Sequence, residues 1–165
     1  MRCSIELWLR FALHTLHSLV RFRLPTYIAP DDVIARELYS GHVSSSGRLS
    51  PGAFKPVPAN GFSISVNRWT PARDKLFIEF GHRAAARRTA RRGTTVTLKG
   101  FAYFTVEALR DASTPEIVLN AESDITRTNP FHANIPFPSD REEDYYLEVQ
   151  TLILEKVQPI TCLLR

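Results

Sequence analysis

The residues with the clearest capacity for chemistry are five arginines in one short run between Gly81 and Gly93. They are Arg83, Arg87, Arg88, Arg91 and Arg92, with alanines between them. On a helix, side chains four residues apart share a face, so Arg83, Arg87 and Arg91 would form a ridge of guanidinium groups. Such a ridge predicts contact with phosphates of nucleic acid or with an acidic protein. The run holds no aromatic residue, so stacking on single-stranded bases is not indicated.

A structural role is the alternative for the same ridge, because charged runs on helices are commonly solvated surface. The arginines could also pack against the acidic region near the C-terminus, which offers Asp140, Glu142, Glu143 and Asp144. The charge distribution suits either reading. Residues 1–110 hold 17 lysines and arginines against 7 aspartates and glutamates, whereas residues 111–165 hold 4 against 10.

A second candidate group is a pair of residues in a short extended segment, His132 and Asn134. Residues two apart in a strand point to the same side, so the imidazole could act as a base and the amide as an orienting group. His42, in the polar segment 42–60, joins this group if folding brings the two segments together. The alternative function is therefore a small enzyme. The simpler reading has His132 bonded to backbone at a turn.

Other chemical signatures are missing from the chain. We find no Walker loop, no Rossmann glycine fingerprint, no HExxH and no GxSxG. We therefore expect no cofactor and no metal. Cys3 and Cys162 stand outside any ligand pattern, which predicts free thiols in a reducing compartment, the cytoplasm. The oligomeric state is not indicated.

The elements that would position these residues predict an α+β fold. We expect a small, mostly antiparallel sheet of three or four strands with two main helices on one face. The cleanest strand signal is the alternation in 61–69, and the other predicted strands are 94–105, 116–121 and 132–135. A short helix is predicted over 31–40, opened by Asp31 and Asp32. Further helices are predicted over 70–92, over 106–112, and from a capping box at Ser139 to Pro159.

The chain, at 165 residues, suits a single domain, which we place at 31–159. Residues 1–24 are predicted to be an appended N-terminal helix, set off by Pro25 and Pro30. Residues 5–24 are apolar but carry a polar stripe of Arg10, His14, His17 and Arg21, which argues against a transmembrane helix. Three alternatives stay open: a helix docked on the domain, a helix on a membrane surface, or an extension.

Three sequence blocks add a resemblance. Ala53–Pro56, Phe62–Arg68 and Asn129–Ile135 together resemble blocks of a loose group of short bacterial proteins of unassigned function. The resemblance covers about Asp31 to Pro159 and implies no activity and no functional residue. From the residues themselves we expect a non-enzymatic binding module that contacts an acidic partner through a basic helix.

Overall fold

The computed structural model describes residues 27–70, 74–126 and 129–164. The N-terminal helix predicted over residues 1–24 therefore lies outside the described residues. The described residues form one antiparallel sheet of six strands in the order β4-β5-β2-β1-β3-β6. The strands are β1 Val33–Tyr39, β2 Ser63–Arg68, β3 Leu98–Thr105, β4 Glu122–Ser123, β5 His132–Pro136 and β6 Ile160–Leu163. The helices are α1 Asp74–Arg92, α2 Val106–Asp111 and α3 Glu143–Leu152, which continues as a π turn over Ile153–Val157.

The sheet corrects our prediction of three or four strands. The α+β class and the antiparallel arrangement agree with the structure, but three of the six strands, β1, β4 and β6, fall where no strand was predicted. The segment predicted as a helix from Asp31 is mostly the central strand β1. Ile34 and Leu38 are buried on one face and Ala35 and Tyr39 on the other. A strand that is buried on both faces does not alternate apolar and polar residues, so its sequence pattern did not predict a strand.

A second missed strand is β6, which pairs with β3 along an edge of the sheet. It has four residues and follows Pro159, so it carries too short a pattern to predict. The strand predicted at 116–121 is also wrong. Its backbone bonds locally instead, with the Leu119 N–H donating to Ser113 Oγ at 2.9 Å and the Ile117 N–H to Thr114 Oγ1 at 3.0 Å. Only the following residues, Glu122 and Ser123, pair with β5.

The two long helices lie on opposite faces of the sheet, not on one face as predicted. Phe77 and Ala85 of α1 pack in one core with Ala35 and Tyr39 of β1. Tyr146 and Val149 of α3 pack in the other core, which contains Ile34 and Leu38. Because neighbouring residues of a strand point to opposite faces, the two cores must be on opposite sides. We refer to these sides as the α1 face and the α3 face.

The segment 42–60 is irregular and covers part of the α3 face. Its short helical turn Pro51–Phe54 inserts the fully buried Phe54 beneath the sheet, where the ring meets Phe104 edge-on at 6.2 Å between centroids. Arg36 holds this turn in place. Its Nε donates to the Ala53 carbonyl at 3.0 Å and its Nη1 to the Ser65 carbonyl at 2.7 Å. Burial lowers the pKa of Arg36 to about 10, so it remains charged at neutral pH.

The capping box predicted at the start of the last helix is wrong. The helix begins at Glu143, after an N-cap at Glu142 that makes no side-chain capping bond. Its buried apolar residues are Tyr146, Val149, Ile153 and Val157. Within the described ranges, no helix has both the length and the apolar character needed to cross a membrane.

Candidate anion-binding surface

The arginines are positioned by the way α1 packs on the sheet. Its buried residues Phe77, Gly81 and Ala85 recur every four residues and form one stripe against β1 and β3. Gly81 permits the close approach, because a Cβ there would lie 2.7 Å from Leu98 Cδ2. The helix ends at Arg92 and is followed by Gly93, whose φ of +69° suits glycine. The arginines of the last turns also complement the negative end of the helix dipole.

Four of the five arginines point into solvent. Arg83, Arg87, Arg91 and Arg92 are exposed, and Arg88 is half-buried. Arg83 pairs with Glu79 one turn earlier at 3.3 Å, an exposed contact of small energy. Arg87, Arg91 and Arg92 have no carboxylate within 4.0 Å among the described residues. We call Arg83, Arg87, Arg91 and Arg92 together the arginine surface.

The acidic residues near the C-terminus do not neutralise the arginine surface. Helix α3 packs in the core of the α3 face, on the other side of the sheet from α1. Its Glu143 pairs instead with Lys55 at 3.3 Å. The alternative in which the basic helix packs against the acidic one is therefore wrong.

Arg88 differs from its neighbours because it contacts the sheet. Its guanidinium carbon lies 4.1 Å from the centroid of the Tyr39 ring, a cation–π contact. The Tyr39 hydroxyl in turn donates to the Glu37 carboxylate. Burial and the charge of Glu37 both raise the pKa of Tyr39, so the phenol remains protonated. Arg88 thus anchors the helix while the other arginines remain free of the sheet.

A chain of polar side chains continues from Glu37 across the α1 face. Asn67 donates to the Glu37 carboxylate at 3.4 Å, and Asn129 donates to Asn67 Oδ1 at 2.6 Å. Asn129 Oδ1 then accepts from the Phe131 N–H at 3.1 Å. Asn67 is 4% exposed, so these bonds supply the partners that a buried amide requires. The network fixes the turn that precedes β5.

His42 lies at the end of β1, beside the Tyr39 end of this network. Its Nδ1 accepts from the Tyr39 N–H at 3.3 Å, which places the proton of the neutral ring on Nε2. Burial, with the charges of Arg36 and Arg88 next in importance, lowers the pKa of His42 to about 4. The imidazole is therefore neutral at physiological pH and adds no charge to the arginine surface.

His132 and Asn134 lie on the α1 face opposite Asn67 and Ser65 of β2. Both side chains bind Asp124. His132 Nδ1 is 2.9 Å from the Asp124 carbonyl oxygen and 3.2 Å from its Oδ2, and Asn134 Nδ2 donates to that Oδ2 at 2.6 Å. No hydrogen bond joins His42 to His132 or Asn134. The arrangement favours the structural role for His132, which holds the segment before β5.

The residues between His42 and β5 were not predicted from the sequence. Glu37, Tyr39, Asn67 and Asn129 link the two segments on which the enzyme hypothesis depended. A signal was present, since Glu37 and Tyr39 are two apart and share a face when the segment is a strand. Because we predicted a helix for that segment, these two residues were not expected to share a face.

A shallow groove of about 540 Å³ opens elsewhere, between residues 115–122 and the segment that leads into α3. Val118, Arg141 and Tyr145 contribute to its lining, and the Arg141 guanidinium lies 5.4 Å from the Tyr145 ring centroid. None of the five arginines of α1 lines it.

Comparisons with protein-family models, with curated proteins and with solved structures found no match to this chain.

Proposed function

We propose that the protein is a non-enzymatic module that binds the phosphate backbone of double-stranded nucleic acid through the arginine surface. The proposal depends on the distribution of charge along α1. From His82 to Arg92 the helix holds five arginines and no carboxylate, and three of the exposed ones have no acidic partner among the described residues. An unpaired cationic surface attracts a polyanion, and release of condensed counterions drives the association.

The spacing of the surface suits a row of phosphates. Arg83, Arg87 and Arg91 are four residues apart, which places successive side chains about 6 Å apart along the helix axis. The intervening residues are mostly alanine, so little obstructs the approach of a backbone. The planar guanidinium group donates two parallel hydrogen bonds to a phosphate, a geometry that lysine lacks.

The character of the helix favours nucleic acid over an acidic protein. Large apolar side chains that are exposed in the described ranges occur at seven positions, and none is on α1. Protein interfaces normally surround an apolar core with a polar rim. A surface with arginines and no exposed large apolar residue lacks such a core.

The acidic α3 face supports a single binding orientation. The segment Glu143–Val157 holds four carboxylates and one lysine, so it repels a polyanion. Nucleic acid therefore approaches from the α1 side only. We expect the protein to act in the cytoplasm, where its thiols stay reduced.

The test removes charge from the arginine surface and, separately, from the other face. Arg87→Gln combined with Arg91→Gln should abolish retention on immobilised duplex DNA at moderate salt. Arg110→Gln combined with Lys156→Gln removes the same charge from exposed residues of α2 and the π turn, and should leave retention nearly unchanged. Circular dichroism and thermal unfolding of each variant confirm that the fold is intact.

Three results would contradict the proposal. Equal loss of retention in both double variants would show that net charge alone is responsible. Unchanged retention in Arg87→Gln/Arg91→Gln would show that another surface binds. Tight binding to an acidic polypeptide such as polyglutamate, with none to duplex DNA, would assign the surface to an acidic protein instead.

A further inference from the structure

Strand β6, at the edge of the sheet, has exposed apolar side chains and no charge. Ile160 is 74% exposed and Leu163 is 41% exposed. The segment from Pro159 to Leu164 contains no charged residue, and its only proline precedes the strand. Natural edge strands are normally protected from pairing by lysine, proline or a bulge. Within the described ranges no strand pairs with the outer side of β6.

The outward-facing backbone groups of β6 can be identified from its pairing with β3. The Leu164 N–H donates to the Lys99 carbonyl at 2.9 Å. The Cys162 carbonyl also points to β3, since a Cβ built on Gly100 would lie 2.1 Å from its oxygen. Inward and outward groups alternate along an antiparallel strand, so Thr161 and Leu163 present their N–H and carbonyl groups to the outside.

We propose that β6 pairs antiparallel with β6 of a second copy of this chain, around a two-fold axis at Cys162. In this register Thr161 of each chain exchanges two hydrogen bonds with Leu163 of the other, so all four outward residues are satisfied. Cys162 then lies opposite its own copy at a position without ladder hydrogen bonds, where Cα atoms are about 4.5 Å apart.

The side chains of β6 suit self-pairing in this register. Ile160, Cys162 and Leu164 share the α1 face, because Ile160 and Cys162 pair with Tyr103 and Phe101. The proposed register sets Ile160 of one chain opposite Leu164 of the other, an apolar cross-strand pair on that face. No like charges meet, since the segment is neutral. The other edge of the sheet is unsuited, because Glu122 and Asp124 place carboxylates there.

The two-fold axis runs perpendicular to the sheet, so it joins two six-stranded sheets into one. Both α1 helices then lie on the same side of the joined sheet. A contact of one short strand is smaller than a standard interface, so we expect a weak, concentration-dependent dimer.

Analytical ultracentrifugation in reducing buffer tests the contact directly. The wild-type protein should pass from monomer to dimer between micromolar and millimolar concentration. Cys162→Lys should remain monomeric, because it sets two ammonium groups opposite each other across the axis. Cys162→Thr, which is neutral and suits a strand, should still dimerise. The Cys162 side chain is exposed, so neither change disturbs the monomer.

Disulfide trapping tests the register. In a Cys3→Ser background, added oxidised glutathione takes two electrons and two protons from two Cys162 thiols and becomes two glutathione thiols, leaving an interchain disulfide. A cysteine moved to position 161, in a chain with Cys3→Ser and Cys162→Ser, should trap far less dimer. Its copy would be diagonal, about 7–8 Å away, beyond the reach of a disulfide.

Three results would overturn the proposal. The first is a wild-type protein that stays monomeric throughout the concentration range. The second is a dimer that Cys162→Lys leaves unchanged, which would place the contact elsewhere. The third is equal trapping at positions 161 and 162, which would exclude this register.

Discussion

On the α3 face of the sheet, apolar side chains fill the space between strands, helices and the Phe54 turn, whereas on the α1 face polar side chains extend across three strands. The α3 face buries Ile34, Leu38 and Phe54 completely. The α1 face has a smaller apolar core and, beside it, the network of Glu37, Asn67 and Asn129. We therefore expect the α3 face to supply most of the stability, while the α1 face carries the arginine surface of the proposed function.

The largest expected effect is on the α3 face. Phe54→Ala removes a fully buried ring and leaves a cavity against Phe104, and should lower the free energy of unfolding by about 3–5 kcal/mol. Denaturant unfolding measures the change. The matched variant on the α1 face is Ser65→Ala, whose hydroxyl has one long bond to Asn60 at 3.3 Å. It should cost less than about 1 kcal/mol. Similar losses in the two variants would remove the contrast between the faces.

An intermediate effect should appear at His42 as a dependence of stability on pH. The folded state lowers the pKa of His42 from 6.5 to about 4, so the unfolded chain binds the proton more readily. The contribution of His42 is therefore fully present above pH 6.5 and is lost as the pH falls from 6.5 towards 4. Because the side chain is partly exposed, solvent screens the effect. The expected loss in the free energy of unfolding is on the order of 2 kcal/mol.

His42→Gln is the control for this pH effect, since glutamine does not titrate. Thermal unfolding followed between pH 7.5 and pH 4.5, a range set by the two pKa values, should show a shallower decline for the variant than for the wild type. Identical declines would show that other groups determine the acid sensitivity.

The smallest expected effect is a difference between two adjacent residues, Arg87 and Arg88. Arg88→Gln removes the cation–π contact with Tyr39 and should destabilise the protein by about 0.5–1 kcal/mol, with a modest loss of DNA binding. Arg87→Gln should leave stability within about 0.5 kcal/mol and weaken binding more, because Arg87 faces solvent only. Chemical unfolding and fluorescence anisotropy measure the two properties. The reverse order of effects on binding would place the contact surface nearer to Tyr39.

The sequence predicted the elements whose signals are local. The alternation around Ile64 and Val66 predicted β2, and the helix predicted over 70–92 ends where α1 ends, at Arg92. The elements that depend on tertiary context were missed. Val33–Tyr39 forms a central strand rather than a helix because other elements pack on both of its faces. Strand β6 forms because β3 has a free edge with which it can pair.

The candidate site divides in the same way. Spacing alone placed the arginines on one face of a helix. It could not place the acidic α3 on the opposite side of the sheet, which is what leaves the arginines without those partners. Nor could it show that Tyr39 holds Arg88, or that His42 and the segment before β5 are linked through Glu37 and Asn67.

The salt dependence of duplex DNA binding counts the phosphates that the arginine surface contacts. If Arg83, Arg87, Arg91 and Arg92 each neutralise one phosphate, the logarithm of the binding constant should fall against the logarithm of salt with a slope of about −4 per bound chain. Arg87→Gln/Arg91→Gln should reduce the slope to about −2, and Arg110→Gln/Lys156→Gln should leave it near −4. An equal slope for the wild type and for Arg87→Gln/Arg91→Gln would show that Arg87 and Arg91 do not contact phosphates, and would contradict the proposed function.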